Sequence, residues 1–486
     1  MLFNSFEYAV FLPLVFAAYW LCAPKWRVII LLAASYIFYM SWRPAYVFLI
    51  LGLTVGNYFL GLEIAKEGRK KFWLTIAVTG NLLVLAFFKY AFFIDELLAS
   101  LLKPAGIDFP KIPFNIVLPL AISFFVFEFI HYVVDVYRGS EPVRSFKAFA
   151  LFASFFPTQI AGPIKRYQDF VPQFLQEAKF KLEYLDQGVS LILIGLAKKI
   201  LFADPLAHFV QGGFANPELF TGLDLWLFAY AFAFQIYFDF SGYTDIARGS
   251  AKLFGYKVPA NFNLPYLAGS VAEFWHRWHI SLSTWLRDYL FIPLGGSRAG
   301  RLIVARNLLI TMTLGGLWHG AAMHFLVWGI FHGAALVIHR EFTQLTAGWN
   351  TLRKLLASIP GHFMAQLLTF HVICVGWVLF RVEDMHAAQI MLGRMFCLLP
   401  AKEHASSIVS NMASNLVSIN YPIIYPLIFL LLPVLFLAHF GMDYINKKGL
   451  VDKMPFSLKA AYCFALMFIV VVFSPDTSPK FIYFQF

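Results

Sequence analysis

Charge is scarce in this 486-residue chain: Asp, Glu, Lys and Arg together make up 13%, about half the roughly 25% of a soluble domain. Hydrophobic residues make up 60%, and mean hydropathy is +0.69. This composition excludes a soluble globular enzyme, a disordered chain and a fibrous protein. A soluble core cannot hide that much apolar surface, so most of it is expected to face lipid. Cysteine is scarce too. The four residues Cys22, Cys374, Cys397 and Cys463 are scattered, with no CxxC, which argues against a disulfide framework or a zinc ribbon. The sequence lacks a P-loop, a GxGxxG fingerprint and a GxSxG elbow, so nucleotide-binding and serine-hydrolase readings have little support. It also lacks low-complexity segments and an evident inverted repeat; a repeat would have favoured a secondary transporter.

What charge there is carries information. Lys and Arg number 38 against 27 Asp and Glu, a net charge of +11. No basic, aromatic-interleaved domain stands apart from the hydrophobic runs, so no nucleic-acid partner is expected. Positive loops on the cytoplasmic side of a membrane protein explain the excess more simply. The start, MLFNSFEYAVFLPLVFAAYWL, has no basic n-region or small-residue cleavage site and reads as a retained first span.

Apolar runs predict spans near 6–23, 28–42, 45–62, 72–90, 116–136, 185–203, 224–241, 302–318, 322–340, 364–380, 423–440 and 457–473. The expected fold class is an all-α polytopic integral membrane protein with about 11–12 transmembrane helices. Lys25 and Arg27, Lys66 to Lys71, Arg138 to Arg166, and Lys447 to Lys453 fall in loops of one parity, which makes those loops cytoplasmic and puts both termini and the stretches 95–113 and 381–420 outside. Lys198 and Lys199 fit this scheme poorly and mark either a misplaced span or a polar cavity. Two stretches, 147–163 and 270–290, are too interrupted or too charged for lipid and read as re-entrant or interfacial segments within protein.

Ionisable residues within apolar surroundings are the candidates for function. In SVAEFWHRWHISLSTWLRDYL (270–290), helical spacing predicts Trp275, His279 and Leu282 on one face, His276 and Ser283 on a neighbouring one, and an i,i+4 pair of Glu273 with Arg277. His276 and His279 form only a weak metal signal, and no metal is expected. The plain alternative is a Trp-rich interfacial helix. In TMTLGGLWHGAAMH (311–324), His319 follows Trp318 and is framed by Gly315, Gly316 and Gly320, which leave room for close approach. An imidazole suits general base catalysis at neutral pH. The alternative is a His bonded to a neighbouring helix; His324, His332 and His339 fit that interface role better. In QIYFDFSGYTDIAR (235–248), Asp239 and Asp245 flank Ser241-Gly242, and pairing with a buried Arg, Arg277 or Arg287, is expected ahead of acid–base work.

AEFWHRWHISLSTWLRDYLFIPLGG and NLLITMTLGGLWHGAAMHFLVWGIFHG together resemble the membrane-bound O-acyltransferase (MBOAT) family. LPLAISFFVFEFIHYVVDVYRG, FPTQIAGPIKRY, QIYFDFSGYTDIA and the ending FIYFQF carry the likeness from end to end, most strongly to the branch that decorates bacterial cell-envelope polymers. The resemblance implies one membrane domain over 1–486, with N-terminal spans in 1–136, a re-entrant and catalytic core in 137–341, and C-terminal spans with an extracytoplasmic tail in 342–486. It implies tilted helices around a central funnel or tunnel in a bacterial inner membrane. The implied reaction moves an acetyl group from a cytoplasmic thioester, acetyl-CoA, toward an envelope polysaccharide such as alginate or peptidoglycan, with no bound cofactor. A periplasmic SGNH-hydrolase-like acetyltransferase is the implied protein partner. His319 of the WHG motif would act as general base or position the nucleophile, and His279 would orient it or donate to the oxyanion. Trp318, Ser283, Asp288, Asp239 and Arg277 would support them, and His371 is a weak further candidate. Tyr483 would act as an acyl carrier; the alternative is an aromatic belt anchor. Basic residues of the cytoplasmic loops, including Lys165, Arg166, Arg298, Arg301 and Arg306, would attract the phosphates of CoA; the alternative for each is simple positive-inside orientation. Rival readings are an acyl or glycan transporter or flippase without chemistry, and a lipid or protein O-acyltransferase of the same family.

Overall fold

The computed structural model describes residues 1–106, 108, 112, 116–176, 179–400, 424–450, 454–474 and 481–482. Among them, every regular element is helical. Each expected apolar run is met by a helix, from Phe6–Leu21 and Arg27–Met40 to Ile424–Lys448 and Phe456–Phe473. Among the described residues, Tyr46–Ala65, Arg301–His319 and Ile359–Arg381 are long and apolar enough to cross a membrane, and Phe6–Leu21 and Ser457–Phe473 are shorter apolar helices. Large apolar side chains remain on the outside: Phe6 is 80% exposed, Leu302 85% and Ile359 89%. Water would penalise such a surface, whereas acyl chains do not.

Several boundaries differ from expectation: helix Ile122–Tyr137 starts six residues after 116, and helix Gly222–Leu253 runs twelve residues past 241. Helix Lys70–Leu102 continues through 95–102, part of the expected outer loop. No glycine or proline interrupts the chain between Gly80 and Pro104, so nothing local ends the helix earlier.

The chain divides into two compact units. The first comprises Met1–Gly195 and Tyr243–Ala260. Within it, residues 147–163 are neither a span nor a simple re-entrant helix. Helix Phe146–Ser154 stops just before Pro157, and irregular backbone stays buried through Lys165. Buried backbone outside a helix needs protein partners, and the Phe156 N–H finds one in Ser35 Oγ at 3.0 Å. Lys165 is itself buried, 2.6 Å from Glu128 on helix Ile122–Tyr137 and over the rings of Phe152 and Phe170. It is therefore not a solvated loop charge that could attract phosphates; its ammonium is committed to Glu128.

The second unit comprises Leu196–Gly242 and Asn261–Phe486. Helices Arg301–His319 and Met323–Leu345 form a tight hairpin, and their contact is set by glycine. A Cβ on Gly316 would run into the Phe325 carbonyl oxygen and the Gly329 backbone, and one on Gly329 into Met312 and Thr313. Small residues let two helix backbones approach this closely. Arg301 pairs with Glu341 across the hairpin's open end. Helix Ile359–Arg381 packs against Met323–Leu345 and contributes the buried Phe370, Trp377 and Phe380.

The segment 270–290 is broken, which corrects the single-helix expectation. It forms helix Val271–Arg277, helix Ile280–Leu286 and a π-helical turn Arg287–Phe291. Ser270 Oγ accepts the Glu273 N–H at 3.1 Å as the N-cap, while Glu273 Oε2 accepts the Gly269 N–H at 2.8 Å, so both side chains tie down the turn that starts the first helix. The expected Glu273–Arg277 pair forms at 2.8 Å. Trp275, His279 and Leu282 do not share a helical face, because the chain turns at Trp278 and His279.

Candidate active site

His319 is the last residue of helix Arg301–His319, and Gly320 leaves the helix in extended backbone. A Cβ on Gly320 would collide with the Phe325 ring, so the glycine lets the chain turn directly beneath that ring. His319 is 8% exposed. Its ring lies 4.9 Å from Trp318, 5.2 Å from Trp328 and 5.0 Å from Phe380, measured between centroids. An imidazole is thus held in an aromatic cup, where water is limited and rotamers are constrained by packing.

His279 sits at the break before helix Ile280–Leu286, with φ of 41° and ψ of 54°. A left-handed conformation is costly for a non-glycine residue and persists only where surrounding structure enforces it. Here Asn261 does so. Its carbonyl accepts the Ile280 N–H at 2.9 Å, and its side-chain oxygen accepts Ser281 Oγ at 2.6 Å. On the other flank, Arg277 donates to the Asn263 carbonyl at 3.1 Å, and the Asn263 N–H donates to the Arg277 carbonyl at 3.0 Å. The His279 ring is buried, 4.7 Å from Phe240 and 6.3 Å from Trp318. Trp318 therefore touches both imidazoles, and His279, Trp318 and His319 come together.

The other sequence candidates take different places. Ser283 Oγ donates to the Trp278 carbonyl at 3.1 Å and so helps to brace the break. Arg277 is held by Glu273, and Asp288 by the half-exposed Arg287 at 2.7 Å. Asp239 pairs with neither Arg277 nor Arg287; it lies 2.7 Å from Lys199. Asp245 is near Arg248 at 3.7 Å. Both expected pairings are thus replaced, because Arg277 is held by Glu273 one helical turn away and Arg287 by the adjacent Asp288. His371 bonds the Leu367 carbonyl at 2.7 Å and Tyr230 Oη at 2.9 Å. His324 bonds the Leu379 carbonyl at 3.1 Å, an interhelix role. His276 is exposed and bonds its own helix at Ala272. Tyr483 lies outside the described residues.

Sequence reasoning missed four participants. Phe240, Trp328 and Phe380 wall the two imidazoles, and Asn261 holds the strained turn. Aromatics are too frequent here, at 19% of residues, for any one to stand out. An Asn eighteen positions before His279 gives no local signal.

Two imidazoles bridged by an indole, buried among aromatic rings at a helix end whose glycines are closely packed, suit proton transfer during attack of a hydroxyl on a carbonyl. Comparison with known proteins names the class. The model of the MBOAT, membrane-bound O-acyltransferase family matches residues 73–380, which include His279, Trp318 and His319.

The chain belongs to the membrane-bound O-acyltransferase family.

It is accordingly an O-acyltransferase of an integral membrane family. The chain is 41% identical over 402 residues to the probable alginate O-acetylase AlgI of Pseudomonas aeruginosa, covering 82% of this chain and 75% of that protein. It is 37% identical over 433 residues to the peptidoglycan O-acetyltransferase of Helicobacter pylori, covering 81% of this chain and 80% of that protein. The teichoic acid D-alanyltransferase of Bacillus subtilis is 30% identical over 292 residues, covering 56% of this chain and 71% of that protein. In this member of the family, the hairpin Arg301–His319/Met323–Leu345 carries one imidazole and the broken segment carries the other.

Proposed function

We propose that this chain is a membrane O-acetyltransferase that moves an acetyl group from a cytoplasmic thioester, acetyl-CoA, across a bacterial inner membrane for O-acetylation of a cell-envelope polysaccharide such as alginate or peptidoglycan. The observation that carries this reading is the His279–Trp318–His319 contact within a buried aromatic enclosure, in a chain whose relatives bear the names alginate O-acetylase and peptidoglycan O-acetyltransferase.

In the proposed reaction a hydroxyl oxygen attacks the acetyl carbonyl carbon. His319 takes the hydroxyl proton, and His279 orients the nucleophile or donates to the developing oxyanion. The new C–O bond forms as the C–S bond breaks, and the proton passes to the departing thiolate. Trp318 fixes both rings. The apolar helices surround this centre as about 11–12 spans around a funnel open to both faces, with both termini extracytoplasmic. Tyr483 is the first acceptor in this scheme. A periplasmic SGNH-hydrolase-like partner completes delivery to the polymer.

His319→Ala removes the proposed base, a loss of about 10²–10⁴-fold by general experience. The test incubates membranes or purified protein with radiolabelled acetyl-CoA and follows label into chain or acceptor. Wild type should consume the thioester, and His319→Ala should reach the membrane but fail to transfer. Wild-type rates in the mutant refute the assignment. Movement of label across the membrane with no thioester cleavage would instead support a transporter.

A further inference from the structure

Lys199, which the loop-charge pattern could not accommodate, lies in a π-helical turn, Lys198–Ala203, and is 1% exposed. Its ammonium is 2.7 Å from Asp239 and 2.8 Å from Asp204, both buried. Two carboxylates thus share one ammonium in an apolar core. Burying such a cluster costs several kcal/mol per ion, and packing alone would be served as well by hydrocarbon. π-helical turns are rare and concentrate where function demands a side chain out of register.

The cluster has a visitor from far along the chain. Asp239 Oδ2 accepts the backbone N–H of Ile482 at 2.7 Å, and the Lys199 ammonium lies 4.5 Å from the centre of the Phe481 ring. Phe481 and Ile482 are themselves buried. The two contacts divide the labour: the second carboxylate gains a donor it needs, and the ammonium gains an aromatic face. Asp239 also adjoins the candidate site. The next residue on its helix, Phe240, packs against the His279 ring at 4.7 Å. Successive helical residues point about 100° apart, so one turn of the helix Gly222–Leu253 presents Asp239 to the 481–482 segment and Phe240 to His279.

We propose that Lys199, Asp204 and Asp239 form a charged clamp that seats the segment Phe481–Ile482 beside the His279–His319 centre, making that segment a working part of the site. The three are positioning residues. The clamp rests on the reading of His279 and His319 as the acyl-transfer centre, and it holds the residue pair directly preceding Tyr483, the proposed first acceptor. It accounts for why a buried ion cluster is kept in the apolar interior: a backbone N–H and a ring recognise charge with fixed direction, whereas a greasy socket would let the segment slide.

The test reads the clamp without relying on acetyl transfer. Amide hydrogen exchange of the full chain in detergent, followed by mass spectrometry, reports the peptide containing Phe481 and Ile482. Asp239→Asn and Lys199→Met should each speed its exchange about tenfold or more, the loss expected for a hydrogen bond to a charged acceptor, while the peptide covering Arg301–His319 exchanges as in wild type. Unchanged exchange at 481–482 in both variants overturns the clamp. If either variant loosens the whole chain, Ile482→Pro and Ile482→Ala decide, because both remove the side chain but only Pro removes the N–H. With the clamp real, the remaining amides of the peptide containing Phe481 exchange at least about tenfold faster in Ile482→Pro than in Ile482→Ala; equal exchange refutes it. Protected exchange at 481–482 in a wild-type chain that shows no acetyl transfer would sink the proposed function and leave the clamp standing.

Discussion

Replacing Gly316 with alanine adds one methyl group at the closest approach of the His319 hairpin, and its cost can be worked through. The new Cβ would meet the Phe325 carbonyl oxygen and lie 3.0 Å from both Cα and N of Gly329. All three obstacles are backbone, so no side-chain rotamer can relieve them. Overpacking of this kind costs about 1–3 kcal/mol. Alanine returns about 1 kcal/mol through helix propensity, which leaves a net loss of about 0–2 kcal/mol, at the upper end because every obstacle is backbone. The larger effect is on chemistry. His319 follows Gly316 by less than one turn, so the separation moves the imbidazole relative to His279; a misplacement of about 1 Å costs about 10²-fold in rate. Gly52→Ala is the control, because its Cβ meets nothing within 4 Å. Thermal unfolding in detergent and transfer from labelled acetyl-CoA are measured on both. The expected result is a modest fall in unfolding temperature and about a hundredfold fall in rate for Gly316→Ala, with Gly52→Ala near wild type. Wild-type activity in Gly316→Ala would show that the hairpin does not set the position of His319.

Three further perturbations follow from other parts of the molecule. Asn261→Ala removes the acceptor of Ser281 Oγ and should cost about 1–2 kcal/mol. It releases the left-handed turn at His279, so transfer should fall more than unfolding temperature, and an unaltered rate would exclude Asn261 as the brace. Glu128→Ala strands the buried Lys165 and should destabilise by about 3–5 kcal/mol; adding Lys165→Met should recover most of the loss in a thermal melt, and no recovery would mean that the pair is not what Glu128 contributes. Tyr483→Phe deletes one hydroxyl. If Tyr483 carries the acyl group, envelope acetylation is lost while thioester binding persists; full acetylation would reduce Tyr483 to an interfacial anchor.

Much of the architecture was legible because its cause is local. Apolar runs give helices, and each expected run is met by one, although 116–121 precedes helix Ile122–Tyr137 and the 185–203 run ends in a π-helical turn. The glycines around His319 correctly marked a close approach, since only backbone-to-backbone contact makes Gly316 and Gly329 necessary. The Glu273–Arg277 pair also follows from spacing alone. The same reasoning failed at 278–280, where a continuous helical pattern was overridden by Asn261, and at 95–102, where a helix former was taken for a loop.

Composition and local pattern therefore determined the class of this protein: helical, lipid-facing, with its scarce charge confined to loops and to a few buried points. The tertiary structure alone decided what those buried charges do. Lys165 proved to be an internal partner of Glu128, and Asp239 turned to Lys199 and to a backbone N–H 243 positions away. Helix formation depends on neighbours within a turn, which a sequence displays. The pairing of a buried ion depends on which distant segment arrives at its side, because a low-dielectric interior makes the nearest opposite charge decisive, and linear order does not reveal that neighbour.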